Sequence, residues 1–123
     1  MKKESTKTLK KKADNLWSEL IMTQAGNKCE VCGEQGHDPH HFIARSRSSR
    51  LRWNPKNGIY LCRICHTKLH WHHDPQIVDK IIRKRGQDWA DELYSVRDLP
   101  IEFSYLNIKY LKGIIIGLKE FLK

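Results

Sequence analysis

The chain has no long apolar run, no Gly/Ser-rich linker and no internal repeat. A bilayer-spanning helix needs about 20 consecutive apolar residues. The basic start Met1-Lys2-Lys3 is therefore expected to lead into neither a membrane span nor a secretory leader. Cysteine is scarce and never isolated: the four present form two Cys-x-x-Cys pairs, Cys29/Cys32 and Cys62/Cys65. Without an export signal, such pairs read as thiolate metal ligands in a reducing, cytoplasmic compartment, with secreted disulfides as the alternative. Acid is also in short supply, since 14 Asp+Glu against 23 Lys+Arg leave a net charge of +9 with His neutral. A surplus of that size on a small body calls for an anionic partner, nucleic acid first and an acidic membrane surface as the rival.

What is present suffices for one domain, residues 1–123, with a modest core: hydrophobic residues make up 39%, with four Trp, four Tyr and three Phe. A Lys-rich arm, Lys2 to Lys12, runs into a helix over about 5–25. Ser5 or Thr6 caps it, and Leu9, Ala13, Leu16, Trp17, Leu20 and Ile21 recur at helical spacing until Gly26-Asn27 stops it. Cys29-Glu-Val-Cys32-Gly33 then forms a tight knuckle in which Gly33 takes the left-handed turn. Two short strands, His40 to Ile43 and Ile59 to Leu61, flank a basic loop from Arg45 to Arg52. A short helix from Arg63 to about His72 stops at Asp74-Pro75, which also open the next helix as N-cap and first-turn proline.

That next helix carries Ile77, Val78, Ile81 and Ile82 and pauses at Gly86; a further one holds Trp89, Leu93 and Val96. After Pro100, residues from about Ser104 to Lys123 form a last helix with the stripe Ile108, Leu111, Ile115, Leu118 and Leu122, weakened by Gly113 and Gly117. The expected class is α+β: a small metal-bound ββα centre over 29–72, between an N-terminal helix and C-terminal helices over 75–123.

Two Cys-x-x-Cys pairs suit one tetrahedral zinc, which favours thiolates and has no geometric demand of its own. A plain zinc ribbon is the simplest reading. The stretch between Cys32 and Cys62 is, however, longer than the about 15–20 residues of such a ribbon, and the extra residues carry histidines. His40 and His41 are neighbours on an extended strand and point to opposite faces, so one can face a metal while the other faces a substrate. His66 and His70 are four apart on a helix, about 5–6 Å from each other on one face, which a shared ion requires. His40, His66 and His70 are thus a second metal set. His73 lies about two turns, or about 10 Å, from His66 and is too far to join; it, His37 and His72 are expected to be solvated.

The ordered set Cys29-x-x-Cys32, Asp38-Pro-His40-His41, Asn57 and Cys62-x-x-Cys65-His66-x-x-x-His70 resembles the HNH (ββα-metal) endonucleases in their four-cysteine zinc form, over about Cys29 to His70. His-Phe-Ile-Ala-Arg from His41, Leu-Arg-Trp-Asn from Leu51 and Gly-x-x-Trp from Gly86 are similar to phage recombination nucleases of the NinG type, so the host would be a bacterial or phage-infected cell.

The resemblance implies a metal-dependent endonuclease that hydrolyses DNA phosphodiester bonds, nicking or cutting both strands. It makes His41 the general base and Asn57 the residue that fixes the loop presenting it. It also makes His40, His66 and His70 the ligands of one divalent ion (Mg²⁺, Mn²⁺, Ni²⁺ or Zn²⁺), while Cys29, Cys32, Cys62 and Cys65 hold a structural zinc. Proline at 39 departs from the pattern and marks an edge strand. Arg45, Arg47, Arg50, Arg52 and Arg63 flank this centre and are expected to grip backbone phosphates of duplex or branched DNA. Trp53 and Trp71 are expected in the core. Two rivals remain: a non-catalytic zinc-containing nucleic-acid-binding module, and an interaction protein that forms a homodimer through its C-terminal helix. A recombination partner is a further expectation of the phage likeness.

Overall fold

A computed structural model describes residues 4–99 and 107–123. Its elements follow the sequence pattern in order: α1 (Thr6–Gln24), β1 (Asp38–His41), a 3-10 turn (Pro55–Asn57), β2 (Gly58–Leu61), α2 (Arg63–His70), α3 (Pro75–Arg85), α4 (Gln87–Arg97) and α5 (Ile108–Phe121). The class is α+β, a two-stranded antiparallel sheet among five helices within the described residues, as a small ββα unit requires. Of the last expected helix, residues 104–106 lie outside the described residues, as do Pro100 and the first two residues of the basic arm, Lys2 and Lys3.

Ser5 caps α1 by accepting a hydrogen bond from the Thr8 N–H at 3.1 Å, which satisfies one of the orphan donors of the first turn. Leu9, Ala13, Trp17, Leu20 and Ile21 form its buried stripe, and Gly26 and Asn27 at positive φ end it. That stripe meets Leu111, Ile115 and Leu118 of α5 in one cluster that also takes in Trp53 and Tyr60. The apolar seam of α5, a candidate for dimerisation on sequence, is thus consumed inside the molecule. Ile108, counted in the same stripe, is exposed.

The strands pair with His40 opposite Ile59 and His41 opposite Gly58. β1 starts two residues earlier than its apolar content indicates and stops at His41 instead of Ile43. The reason is Asn57: its side chain takes both backbone groups of Ile43, accepting from the N–H at 2.8 Å and donating to the carbonyl at 2.9 Å, and so pulls the chain out of the ladder. Both strands of a two-stranded sheet are edges, which tolerates Pro39. At Gly58 a Cβ would run into the side chain of Ile21, so only glycine lets β2 lie this close to α1.

The second half is clamped to the knuckle by Arg85 of α3. It forms a bidentate pair with Glu30, reaches the Gly58 carbonyl at 2.8 Å and stacks on Trp89. α2 ends at His70, short of the expected His72. His73 adopts a left-handed φ of 49° as the chain turns, and Asp74 caps α3 through the Gln76 N–H. No helix among the described residues is long and apolar enough to cross a membrane.

Candidate active site

A cysteine cluster and a histidine cluster both draw on α2 of the ββα unit. Cys29 and Cys32 come from the knuckle, where Gly33 takes φ 77° and its N–H bonds the Cys29 carbonyl at 3.0 Å. Cys62 and Cys65 open α2, with Cys62 Sγ accepting from the Cys65 N–H at 3.4 Å. All four Sγ atoms fall within 4.8 Å of one another, and Cys32 and Cys62 are 3.6 Å apart. Zinc at about 2.3 Å from each sulfur needs sulfurs about 3.8 Å apart, so the set fits a tetrahedral ion. Burial opposes ionisation of Cys29, but backbone hydrogen bonds from Cys32, Cys62 and Val31 draw it down to about 7. Burial and the sulfurs of Cys62 and Cys29 push the Cys65 thiol up. A divalent cation removes that conflict because thiolates are the form it binds.

The second cluster joins His40 of β1 to His66 and His70 of α2, with ligand atoms again within 4.8 Å of one another. The ring centroids are 5.1 Å (His40–His66), 6.1 Å (His40–His70) and 5.5 Å (His66–His70). Small side-chain rotations bring three imidazoles at these separations onto one ion. Burial, with His66, His41 and His70 nearby, lowers the His40 pKa to about 4, so the ring is neutral and ready to ligate at neutral pH. Asp38 backs this cluster: one carboxylate oxygen lies 3.2 Å from His66 Nδ1 and the other 3.0 Å from His37 Nδ1. Burial works against the Asp38 carboxylate, yet His37 and His66 hold its pKa below the usual value. An imidazole bound through Nδ1 to a carboxylate presents Nε2 outward, the arrangement metal-ligating histidines commonly use.

His41 leaves the strand on the opposite side. Its ring stacks on Trp17 of α1 at 4.0 Å between centroids and 3° between planes. Its Nε2 lies 2.7 Å from the Arg52 carbonyl. A carbonyl only accepts, so Nε2 carries the proton, and Nδ1 of the neutral ring holds the lone pair. Burial lowers the His41 pKa, against the opposing effect of that hydrogen bond, and favours the neutral ring. His40 and His41 both border one open cleft of roughly 470 Å³, together with Arg45, His70, His73 and Tyr94. Asn57, fully buried, ties Ile43 and Leu51 together through its amide and so shapes the loop between them.

The five arginines do not behave alike. Arg47 is exposed, and Arg45 is exposed with Asp14 3.8 Å away. Arg63 reaches His37 Nε2 at 2.9 Å, so His37, exposed as expected, also has two polar partners, Arg63 and Asp38. Arg52, expected on a phosphate, has its guanidinium bound in a bidentate pair by Asp14 at 3.0 and 2.8 Å and stacked over Trp53. Trp53 is buried as expected. Trp71 is not: it is 71% exposed, with its ring edge on His70 at 4.9 Å.

Sequence reasoning passed over Asp38 and Asp14 as site residues. Strand alternation puts Asp38 on the face of His40, and that signal was legible. Nothing in the pattern of α1 singles out Asp14 or gives Trp17 more than a core role.

Comparison with known proteins bears on the central segment alone. No curated protein and no solved structure matches the chain at a significant level. The family model described as HNH endonuclease matches residues 29–71, the stretch that holds both clusters, the two strands and α2. Residues 29–71 are therefore an HNH endonuclease domain, set between helices that the match does not include.

Proposed function

We propose that the chain is a metal-dependent endonuclease that hydrolyses phosphodiester bonds of DNA, with His41 as general base. The observation that carries this reading is the pose of His41. Its Nε2 is engaged by a backbone carbonyl, its lone-pair nitrogen is left for a proton, and His40 and His70 of the three-histidine cluster border the same cleft. In this scheme His41 Nδ1 takes a proton from water as the water attacks phosphorus, a role worth about 10²–10⁴ in rate. His40, His66 and His70 hold one divalent ion, and Asp38 orients His66 toward it. When bound there, Mg²⁺, Mn²⁺, Ni²⁺ or Zn²⁺ supplies charge stabilisation at the phosphate and the departing 3′ oxygen. The products carry a 5′ phosphate and a 3′ hydroxyl. Cys29, Cys32, Cys62 and Cys65 hold a structural zinc that joins the knuckle to α2. Arg45 and Arg47 meet the backbone phosphates of a duplex or branched substrate, and a cytoplasmic setting fits the reduced thiols.

The test is incubation of the purified protein with supercoiled, linear, branched and single-stranded DNA across these four metals, alongside His41→Ala. Metal-dependent cutting that His41→Ala abolishes supports the reading. Tight DNA binding with no cutting under any metal overturns it in favour of a non-catalytic nucleic-acid-binding module.

A further inference from the structure

Helix α1 lies outside the segment that matches the HNH family, yet its Trp17 packs directly on His41. Trp17 stacks flat against the imidazole and is itself locked by its indole N–H, which donates to the Asn54 carbonyl at 2.9 Å. Three residues earlier, one turn away on the same face, Asp14 accepts from Arg52 Nε and Nη2 and from Trp53 Nε1 at 2.8 Å. The Arg52 carbonyl is the group that accepts the hydrogen bond from His41 Nε2–H. One helix therefore sets both coordinates of the ring. Trp17 fixes its plane, and Asp14, by anchoring Arg52 and Trp53, fixes the acceptor that selects its tautomer. The cost of holding Arg52 this way is a cation withdrawn from the phosphate face, which a purely DNA-gripping loop would not accept.

We infer that Asp14 and Trp17 of α1 are positioning residues that align the catalytic base from outside the nuclease domain proper. The inference rests on the assignment of His41 as general base. A base misplaced by about 1 Å loses about 10²-fold in rate, whereas a helix that only packs the core contributes to melting temperature alone.

The experiment uses the full chain and three variants: Trp17→Leu, Trp17→Phe and Asp14→Asn. Single-turnover and steady-state cleavage, zinc content, melting temperature and the ¹⁵N shifts of the neutral His41 ring are measured on each. Asp14→Asn is the key variant because it keeps an acceptor for Trp53 but loses the carboxylate that clamps Arg52, at a partly exposed site, and its melting temperature reports whether it folds. The expected result is a fall in kcat of about 10–100-fold with KM little changed. The His41 ring should then no longer hold its proton on Nε2 alone. Trp17→Leu should act in the same sense, and Trp17→Phe, which can still stack, should recover most of the rate. A parental tautomer with parental kcat in Asp14→Asn overturns the inference, as does a rise in KM alone, which would make α1 a binding element. If the parent cuts no DNA, the nuclease reading fails separately, and the tautomer in the variants still decides whether α1 positions His41.

Discussion

Asp38 Oδ2 sits 3.2 Å from His66 Nδ1, while its other oxygen pairs with His37, which in turn meets Arg63. The ligand histidine is thus backed by a carboxylate and that carboxylate by a second layer. Replacing Asp38 by Asn should weaken the catalytic ion by about 10–100-fold, the usual worth of such a backing group. Calorimetric titration with Mn²⁺ or Ni²⁺ reads this directly. Parental affinity would remove Asp38 from the metal centre.

His40 and His41 are adjacent but should fail differently. His41→Ala is expected to keep its ion and its DNA and to lose rate by about 10²–10⁴. His40→Ala should lose ion affinity, and cutting should return in part at high metal concentration. Nicking rates measured beside metal affinities separate the two, and the reverse pattern would exchange their roles.

Removing the structural metal should be felt throughout the fold. Cys62→Ser leaves three thiolates, while the serine hydroxyl can still cap α2 through the Cys65 N–H, so the variant tests the metal and not the cap. Because metal binding free energy is largely folding free energy in such a site, the variant and the chelator-treated parent should both lose the α2 helix signal. Metal analysis of the parent should find one tightly held zinc. A chain without zinc that melts like the variant would contradict the assignment.

Asn57 satisfies the Ile43 N–H and two buried carbonyls at once. Asn57→Ala should lower stability by about 1–3 kcal/mol, the cost of leaving buried backbone groups unpaired. It should lower cleavage further, because the loop that ends at the Arg52 carbonyl is no longer tied to β2. Urea denaturation checks the first effect, and a rate loss in excess of the unfolded fraction checks the second.

The arginines should divide by function. Arg47→Ala with Arg50→Ala should weaken binding to all DNA sequences and flatten the dependence of affinity on salt. Arg52→Ala should leave that slope nearly unchanged and lower the cutting rate, since its guanidinium is already spent on Asp14. Binding isotherms at several salt concentrations distinguish them; a common slope change for all three would return Arg52 to the phosphate face.

Much of this molecule was legible before any coordinates. Local pattern placed both cysteine pairs, the i, i+4 pair His66 and His70, the alternating faces of His40 and His41, and the caps at Asp74 and at Ser5 or Thr6, because each rests on a local period or a local hydrogen bond; the structure chose Ser5. Sequence reasoning set the strand bounds wrongly because it followed apolar content at Ile43, whereas a buried side chain from Asn57 decided where the ladder stops. Trp71 is expected in the core, yet α2 ends in a turn that faces it to solvent.

What the sequence by itself determined is the set of candidate ligands and their order, since coordination chemistry limits residue type and near-neighbour spacing. Only the tertiary structure decided what holds His41. Asp14 and Trp17 reach His41 across gaps of dozens of residues, through a carboxylate clamp and a ring stack that have no period along the chain. The same packing turned Arg52 from a cation for phosphate into an anchor. A charge run records how many cations are present, but whether each is free depends on which carboxylate the fold brings beside it.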